Sequence, residues 1–291
     1  MIPAKFDYFA PTTLPEAISL LSEHGYEAKI LAGGQSLIPA MRFRLAAPAV
    51  LIDINRIDGL SYIREVNGHV ALGALTREAE IDESALIRQK YALLADTAKV
   101  IADPLVRNLA TVGGNLAHAD PANDHPATML AYGAELVAAG PTGERIIPID
   151  EFFVDLFTSS LTENEILREI RIPTPPAQSG GAYLKIERKV GDYAVAAVAV
   201  QLTVDGNTCT SARIGLTNVT PFPVRASNAE AALIGQPLTE DTIRAAGTAA
   251  AADSDPSSDL RGSVEYKRDL VRTITMRAIR QAVARAQGGT S

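Results

Sequence analysis

The stretch Ala102-Asp-Pro-Leu-Val-Arg-Asn-Leu-Ala-Thr-Val-Gly-Gly-Asn-Leu-Ala-His-Ala-Asp-Pro-Ala-Asn-Asp-His125 decides how this chain is read. At its centre stand Thr111-Val112-Gly113-Gly114-Asn115. Adjacent glycines lack a Cβ, so the backbone there can turn tightly and lie close against a ligand. Successive N–H groups in such a turn form a concave anion site. Thr111 and Asn115 add side-chain donors. Asp120 and Asp124 follow, and a carboxylate repels a phosphate but suits a hydroxyl or a ring N–H. The pattern fits one loop gripping a ligand that carries both phosphates and hydroxyls.

A single Gly-Gly pair is more often an ordinary turn. Here there is a second copy, Ala32-Gly33-Gly34-Gln35-Ser36, after the strand-like run Lys29-Ile30-Leu31. Two such loops can clamp a pyrophosphate from both sides. Neither has the Gly-x-Gly-x-x-Gly spacing, and neither carries the Lys-Ser/Thr of a P-loop, which weakens the usual dinucleotide and nucleoside-triphosphate readings.

Outward from these motifs, 291 residues allow two or three compact units, and a hydrophobic content of 47% supports a sizeable core. With 27 basic against 34 acidic residues, a net charge of -7, no basic patch dominates and nucleic acid is not expected as a partner. No apolar run is long enough to span a membrane, and the first residues carry no signal-peptide core. The expected location is the cytoplasm. The single cysteine, Cys209, excludes an intrachain disulfide and a Cys₄ iron–sulfur centre within this chain. It reads as a small buried hydrophobe in a strand.

Thr13, Pro15 and Glu16 start a helix that runs to His24 and stops at Gly25. A strand at 28–32, a helix at 37–45 and a strand at 50–54 follow. Segments 61–66 and 69–75 alternate around Asn67-Gly68, a hairpin signal. Helices are expected at 77–82 and 91–101, and a short one at 126–132 after the second glycine loop. A hairpin spans 135–148. A strand at 165–172 ends in Pro173-Thr-Pro-Pro176, which marks a domain boundary. Three strands (182–189, 193–204, 208–219) and helices at 224–234, 240–252 and 264–286 complete the chain. On the last helix Lys267, Arg268, Arg272, Arg277, Arg280 and Arg285 read as a solvated face. Strands and helices mix without strict βαβ repetition, so the class is α+β. The units are expected at 1–176, with subdomains of about 1–55 and 56–176, and at 177–291.

Tyr193 stands among small residues, Gly191-Asp192-Tyr193-Ala194. Its ring is expected to suit a planar ligand, or its hydroxyl to meet water at a strand start. Lys185, Glu187 and Lys189 share one strand face. An inward Lys185 puts positive charge beside an electron-accepting ring; an outward one belongs to a salt-bridged surface. His118, Asp120, Asp124 and His125 invite a metal reading, but Pro121 interrupts them and the spacing matches no known ligand set. There is no Gly-x-Ser-x-Gly elbow, and Cys209 has no evident His partner.

Ala32-Gly-Gly-Gln-Ser36 together with Thr111-Val-Gly-Gly-Asn115 resembles the double flavin motif of the medium subunits of molybdenum hydroxylases, the xanthine oxidase family. The likeness runs through Ile2-Pro3, Phe6-Asp-Tyr8, Ala102-Asp-Pro104, Asp120-Pro-Ala-Asn-Asp124, Arg188-Lys-Val-Gly-Asp-Tyr193 and Gly215-Leu-Thr-Asn218, and the whole chain looks like the flavoprotein subunits of aerobic carbon monoxide dehydrogenases. The resemblance implies an FAD-binding domain of two α/β subdomains, like that of vanillyl-alcohol oxidase, plus a C-terminal domain with a three-stranded antiparallel sheet and helices. It implies that Ala32, Gly33, Gly34, Gln35 and Ser36, with Thr111, Gly113, Gly114 and Asn115, hold the FAD pyrophosphate. Ile30 and Leu31 lead into the first motif and Leu37 follows it. Ile101 and Leu167 line the flavin pocket, Asp124 bonds a polar part of the cofactor, Lys185 lies near the flavin and Tyr193 stacks on it. No catalytic residue and no metal site are implied in this chain.

The implied partners are a large molybdenum-cofactor subunit and a small subunit with two [2Fe–2S] clusters, assembled as a dimer of heterotrimers. That complex passes electrons to FAD and on to quinone or another acceptor, and associates with the inner face of the cytoplasmic membrane. One departure stands out: the carbon monoxide enzymes carry His in the first motif where this chain has Gln35, as in relatives with other substrates. A medium subunit of an N-heterocycle, aldehyde or xanthine hydroxylase is the alternative within the family. A free-standing flavin oxidase and a non-redox nucleotide-binding module are the alternatives outside it.

Overall fold

The structure is a computed structural model that describes residues 2–289; residues 1, 290 and 291, the outer ends of the two expected units, lie outside the described residues. The first layer is a small parallel sheet. Its strands are β1 (Asp7–Phe9), β2 (Ala28–Leu31) and β3 (Val50–Asp53), in the order β1-β3-β2. Helix α1 (Leu14–His24) starts where Thr13 accepts a hydrogen bond from the Glu16 N–H, and packs Ala17 and Leu21 on Val50 and Ile52. The next helix, α2 (Leu37–Arg42), ends three residues before the expected Leu45, because Arg44 turns with φ of 58°.

The second layer is an antiparallel sheet of β4 (Ile63–Val66), β5 (His69–Gly73), β6 (Glu135–Gly140), β7 (Gly143–Pro148) and β10 (Ile166–Pro173), ordered β4-β5-β10-β6-β7. Six helices fill the connection from β5 to β6: α3 (Glu78–Glu83), α4 (Ala85–Lys90), α5 (Ala92–Val100), α6 (Pro104–Arg107), α7 (Val112–His118) and α8 (Asp124–Tyr132). The hairpin of β8 (Phe153–Asp155) and β9 (Thr158–Ser159) projects Phe157 toward the His118 ring, 5.2 Å between centroids. Strand β10 carries a bulge between Leu167 and Glu169. Such an extra residue re-aims the side chains after it; Ile166 and Leu167, just before it, are buried in two different apolar clusters.

The third layer is an antiparallel sheet of β11 (Ser179–Ile186), β12 (Ala196–Asp205), β13 (Thr208–Thr217) and β14 (Val224–Arg225). Helices α9 (Ser227–Leu233), α10 (Glu240–Asp253) and α11 (Val264–Ala286) cover one face of it. Cys209 is buried in this core.

Four expectations change. The second glycine pair lies in the first turn of α7, not in a loop, because Thr111 caps that helix. The C-terminal sheet gains a fourth strand: Val224 and Arg225 pair with Leu216 and Gly215, so the helix expected from 224 starts at Ser227. Tyr193 precedes β12 rather than opening it, since Gly191 (φ 80°) and Asp192 hold a turn there. The basic residues of α11 are not one solvated face. Lys267 is buried with its Nζ on the Ser257 carbonyl and Asp259, and Arg285 reaches Asp96 and the Gly181 carbonyl.

Candidate functional site

Strand β2 delivers Ile30 and Leu31, both half-buried, to the first glycine motif. The Ala32 carbonyl accepts from Asn55 Nδ2 at 2.7 Å. Gly33 is pressed on the chain leading into the second motif: a Cβ there would lie 2.3 Å from the Leu109 carbonyl oxygen. Gly34 has φ of 71°, a left-handed conformation that favours glycine. Gln35 folds back, its Nε2 donating to the Gly33 carbonyl at 3.1 Å. Among the described residues, the N–H groups of Gly33, Gly34, Gln35 and Ser36 bond to no protein acceptor. This is the run of free donors expected of an anion cradle.

The second motif works differently. Thr111 Oγ1 accepts from the Gly114 N–H at 3.1 Å, and the Gly113 N–H donates to the Ala74 carbonyl at 3.0 Å. The Val112 and Asn115 N–H groups are also used, by the Thr76 and Thr111 carbonyls. These N–H groups are therefore not the expected anion cradle. Gly113 is glycine because a Cβ would lie 2.6 Å from the Ala74 oxygen; at Gly114 a Cβ would meet Thr111 Oγ1 at 2.7 Å and Ala32 Cβ at 3.8 Å. The two motifs thus lie side by side. Arg77 fastens them, donating to the Leu109 carbonyl and, at 2.7 Å, to Asn55 Oδ1. Asn115 contributes a buried Oδ1 without a protein partner, a polar atom left for a ligand.

Tyr193 joins this group from the third layer. It is 44% exposed, and its hydroxyl lies near Ser36. Burial of the ring's polar end, with Asp120 beside it, pushes its pKa up. Its loop is braced on both sides. The Asp192 carboxylate accepts from the Tyr193 N–H, Arg188 and Arg261, and Asn218 Nδ2 donates to the Ala194 carbonyl at 2.5 Å. Gly191 lies against Ala102, which itself has φ of 46°.

A second group forms around Asp124, in the first turn of α8. Its Oδ1 accepts from the Tyr183 hydroxyl at 2.6 Å and its Oδ2 from Lys185 Nζ at 3.0 Å. Burial raises the Asp124 pKa, opposed by Lys185. The Lys185 ammonium also donates to the Val100 carbonyl, which places it beside Ile101 at the end of α5. Lys185 therefore points inward, not onto a salt-bridged surface. Leu167 reaches the motifs through its neighbour, since the Arg168 carbonyl accepts from the N–H of Ala74, the residue behind Gly113.

The metal reading does not assemble. Among the described residues no three His, Cys, Asp or Glu side chains converge. His118 lies 4.0 Å from Asp120, while His125 is turned into the core against Glu78. Sequence reasoning missed Asn55, Arg77, Glu78 and Tyr183. Tyr183 was within reach of it, two residues before Lys185 on the same strand face. The others bond across 22 to 47 residues and leave no local signal.

A family model described as the FAD binding domain in molybdopterin dehydrogenase matches residues 4–175, and one described as the CO dehydrogenase flavoprotein C-terminal domain matches residues 181–282. The carbon monoxide dehydrogenase medium chain of Hydrogenophaga pseudoflava is 45% identical over 285 residues, 98% of this chain and 99% of that one. A solved structure of carbon monoxide dehydrogenase from the same organism, lacking the Mo-pyranopterin moiety of its molybdenum cofactor, matches with a TM-score of 0.96 at 47% identity, covering 98% of this chain and 99% of that one. Quinoline 2-oxidoreductase from Pseudomonas putida 86 matches with a TM-score of 0.92 at 32% identity, covering 100% of both chains. The chain belongs to the family of FAD-binding medium subunits of molybdopterin dehydrogenases, the flavoprotein subunits of oxidoreductases that include carbon monoxide dehydrogenase.

Proposed function

We propose that this chain is the electron-transferring FAD subunit of a heterotrimeric carbon monoxide dehydrogenase. The observation that carries the cofactor site is the run of free N–H groups at residues 33–36, with the second glycine motif alongside and the Tyr193 hydroxyl near Ser36. In this reading the free N–H groups of residues 33–36 take the pyrophosphate oxygens. Gly114, its N–H held by the Thr111 hydroxyl, supplies a wall that approaches closely because it has no side chain there, and Gly113 lets that wall pack on Ala74. Asn115 bonds the cofactor with its unpartnered Oδ1 side. Ile30, Leu31, Leu37, Ile101 and Leu167 exclude water. Tyr193 lies on the ring, and Lys185, held by Asp124, puts a fixed positive charge near it. When bound, FAD supplies the redox step between the [2Fe–2S] clusters of a small partner subunit and quinone or another acceptor. The protein binds, orients and tunes the cofactor.

The complex we have in mind contains a large molybdenum-cofactor subunit that oxidises the substrate and assembles as a dimer of heterotrimers. It resides in the cytoplasm, on the inner face of the membrane; among the described residues no helix is long and apolar enough to cross it. Residues 1–176 form the FAD-binding domain and 177–291 the C-terminal one. Gln35 keeps a second substrate reading in play, an N-heterocycle or aldehyde hydroxylase such as the quinoline enzyme. The deciding experiment is a visible spectrum of the chain co-expressed with its genomic neighbours, taken anaerobically before and after carbon monoxide. Flavin bands that bleach with carbon monoxide support the whole reading. Bands that respond only to a heterocycle or aldehyde keep the subunit role and change the substrate. An intact complex that takes up no flavin when supplied with FAD defeats the reading.

A further inference from the structure

Glu78 and His125 are both fully buried, with Glu78 Oε2 and His125 Nε2 2.6 Å apart. Their other polar atoms, Glu78 Oε1 and His125 Nδ1, are buried without a partner. A half-satisfied polar pair is a poor choice for a core, where apolar side chains of the same volume pack at no desolvation cost. Packing alone does not account for it.

Its place in the fold does. Glu78 opens α3, and its N–H donates to the Ala110 carbonyl at 3.1 Å, one residue before the Thr111 cap. The preceding Arg77 donates to the Leu109 carbonyl and bridges to Thr111. On the other side, His125 directly follows Asp124, whose carboxylate holds Tyr183 and Lys185. The pair is a strut between the second glycine motif and the Asp124–Lys185 pair. We propose that the Glu78–His125 hydrogen bond is a positioning device for the cofactor, fixing the spacing between the wall that faces the pyrophosphate and the charge that faces the ring. It acts through Thr111 and Asp124, without touching the cofactor. The proposal rests on the FAD reading above.

The test uses the complex with its partner subunits, stripped of flavin and titrated with FAD, read by flavin fluorescence and by circular dichroism in the flavin bands. Glu78→Leu is expected to raise the FAD Kd about tenfold or more, with the far-ultraviolet spectrum unchanged. Glu78→Gln, which can still hydrogen-bond His125, restores binding to within about threefold and restores the flavin dichroism. The double variant Glu78→Leu/His125→Leu removes both polar partners and remains thermally stable, yet binds FAD as weakly as Glu78→Leu. A stable double variant with the wild-type Kd and flavin dichroism overturns the strut while leaving the FAD reading intact. A wild-type complex that takes up no FAD overturns the FAD reading, and the strut with it.

Discussion

Gly113 and Gly114 are neighbours in sequence and answer to different neighbours in space. A methyl group on Gly113 would press on the Ala74 backbone, which cannot yield, whereas on Gly114 it would meet the Thr111 hydroxyl and the open side toward Ala32. Gly113→Ala is therefore expected to cost about 1–3 kcal/mol of stability, as overpacking does, measured by denaturant unfolding. Gly114→Val is expected to abolish FAD retention by filling the space beside the first motif; unchanged flavin content in the purified complex would refute that assignment. Tyr193→Ala should alter flavin absorbance and fluorescence while the fold persists, and an unaltered spectrum would count against stacking. The paired glycines were legible in the sequence because their spacing repeats. Which of them offers free N–H groups was not, because the Gly113 donor is consumed by Ala74, thirty-nine residues earlier.

At the scale of elements, the hairpins and long helices were readable where a turn residue or a cap is local. Asn67-Gly68 and Thr13 are such signals. The two-residue strand β14 was not readable, since its pairing to Leu216 is a tertiary event that overrides the apolar helical pattern around it. The same holds for α11, whose Lys267 and Arg285 look solvated by composition but are captured by Asp259 and Asp96. The entry to β10 offers a pH test. Arg145 donates to Glu165 through Nε at 2.6 Å and Nη2 at 2.8 Å, and this pulls the Glu165 carboxyl from its usual 4.5 to about 2. A carboxyl with a depressed folded pKa stabilises the fold fully above about pH 4.5, and loses that contribution as pH falls through about 2. The difference in Tm between the wild type and Glu165→Gln should be greatest at neutral pH and close as the pH approaches 2. A difference that does not change over that window would disprove the assignment.

Across the whole molecule, the boundary at Pro173–Pro176 separates two stretches of sequence without separating two cores. Tyr183, Ala194, Ala197 and Ala199 of the C-terminal stretch sit in the same apolar cluster as Leu93, Met129 and Ile170. Arg285 adds an ion pair from α11 to Asp96 on α5. A calorimetric scan of the full chain should accordingly show one cooperative transition. Residues 177–291 alone should bind a hydrophobic dye and melt without a sharp transition, because the face that meets α5 and α8 is bared.

The bulge in β10 has its own consequence for how this lineage can vary. Just before the bulge Ile166 packs into the cluster of Val50 and Ile52 and Leu167 into the cluster of Leu93 and Ile170, so the strand cannot lose or gain a residue there without exchanging which side chain meets which core. Length changes among relatives should therefore collect in the hairpin turns and be absent from this strand, so that it is inherited as a fixed-length cassette while the rim around it drifts.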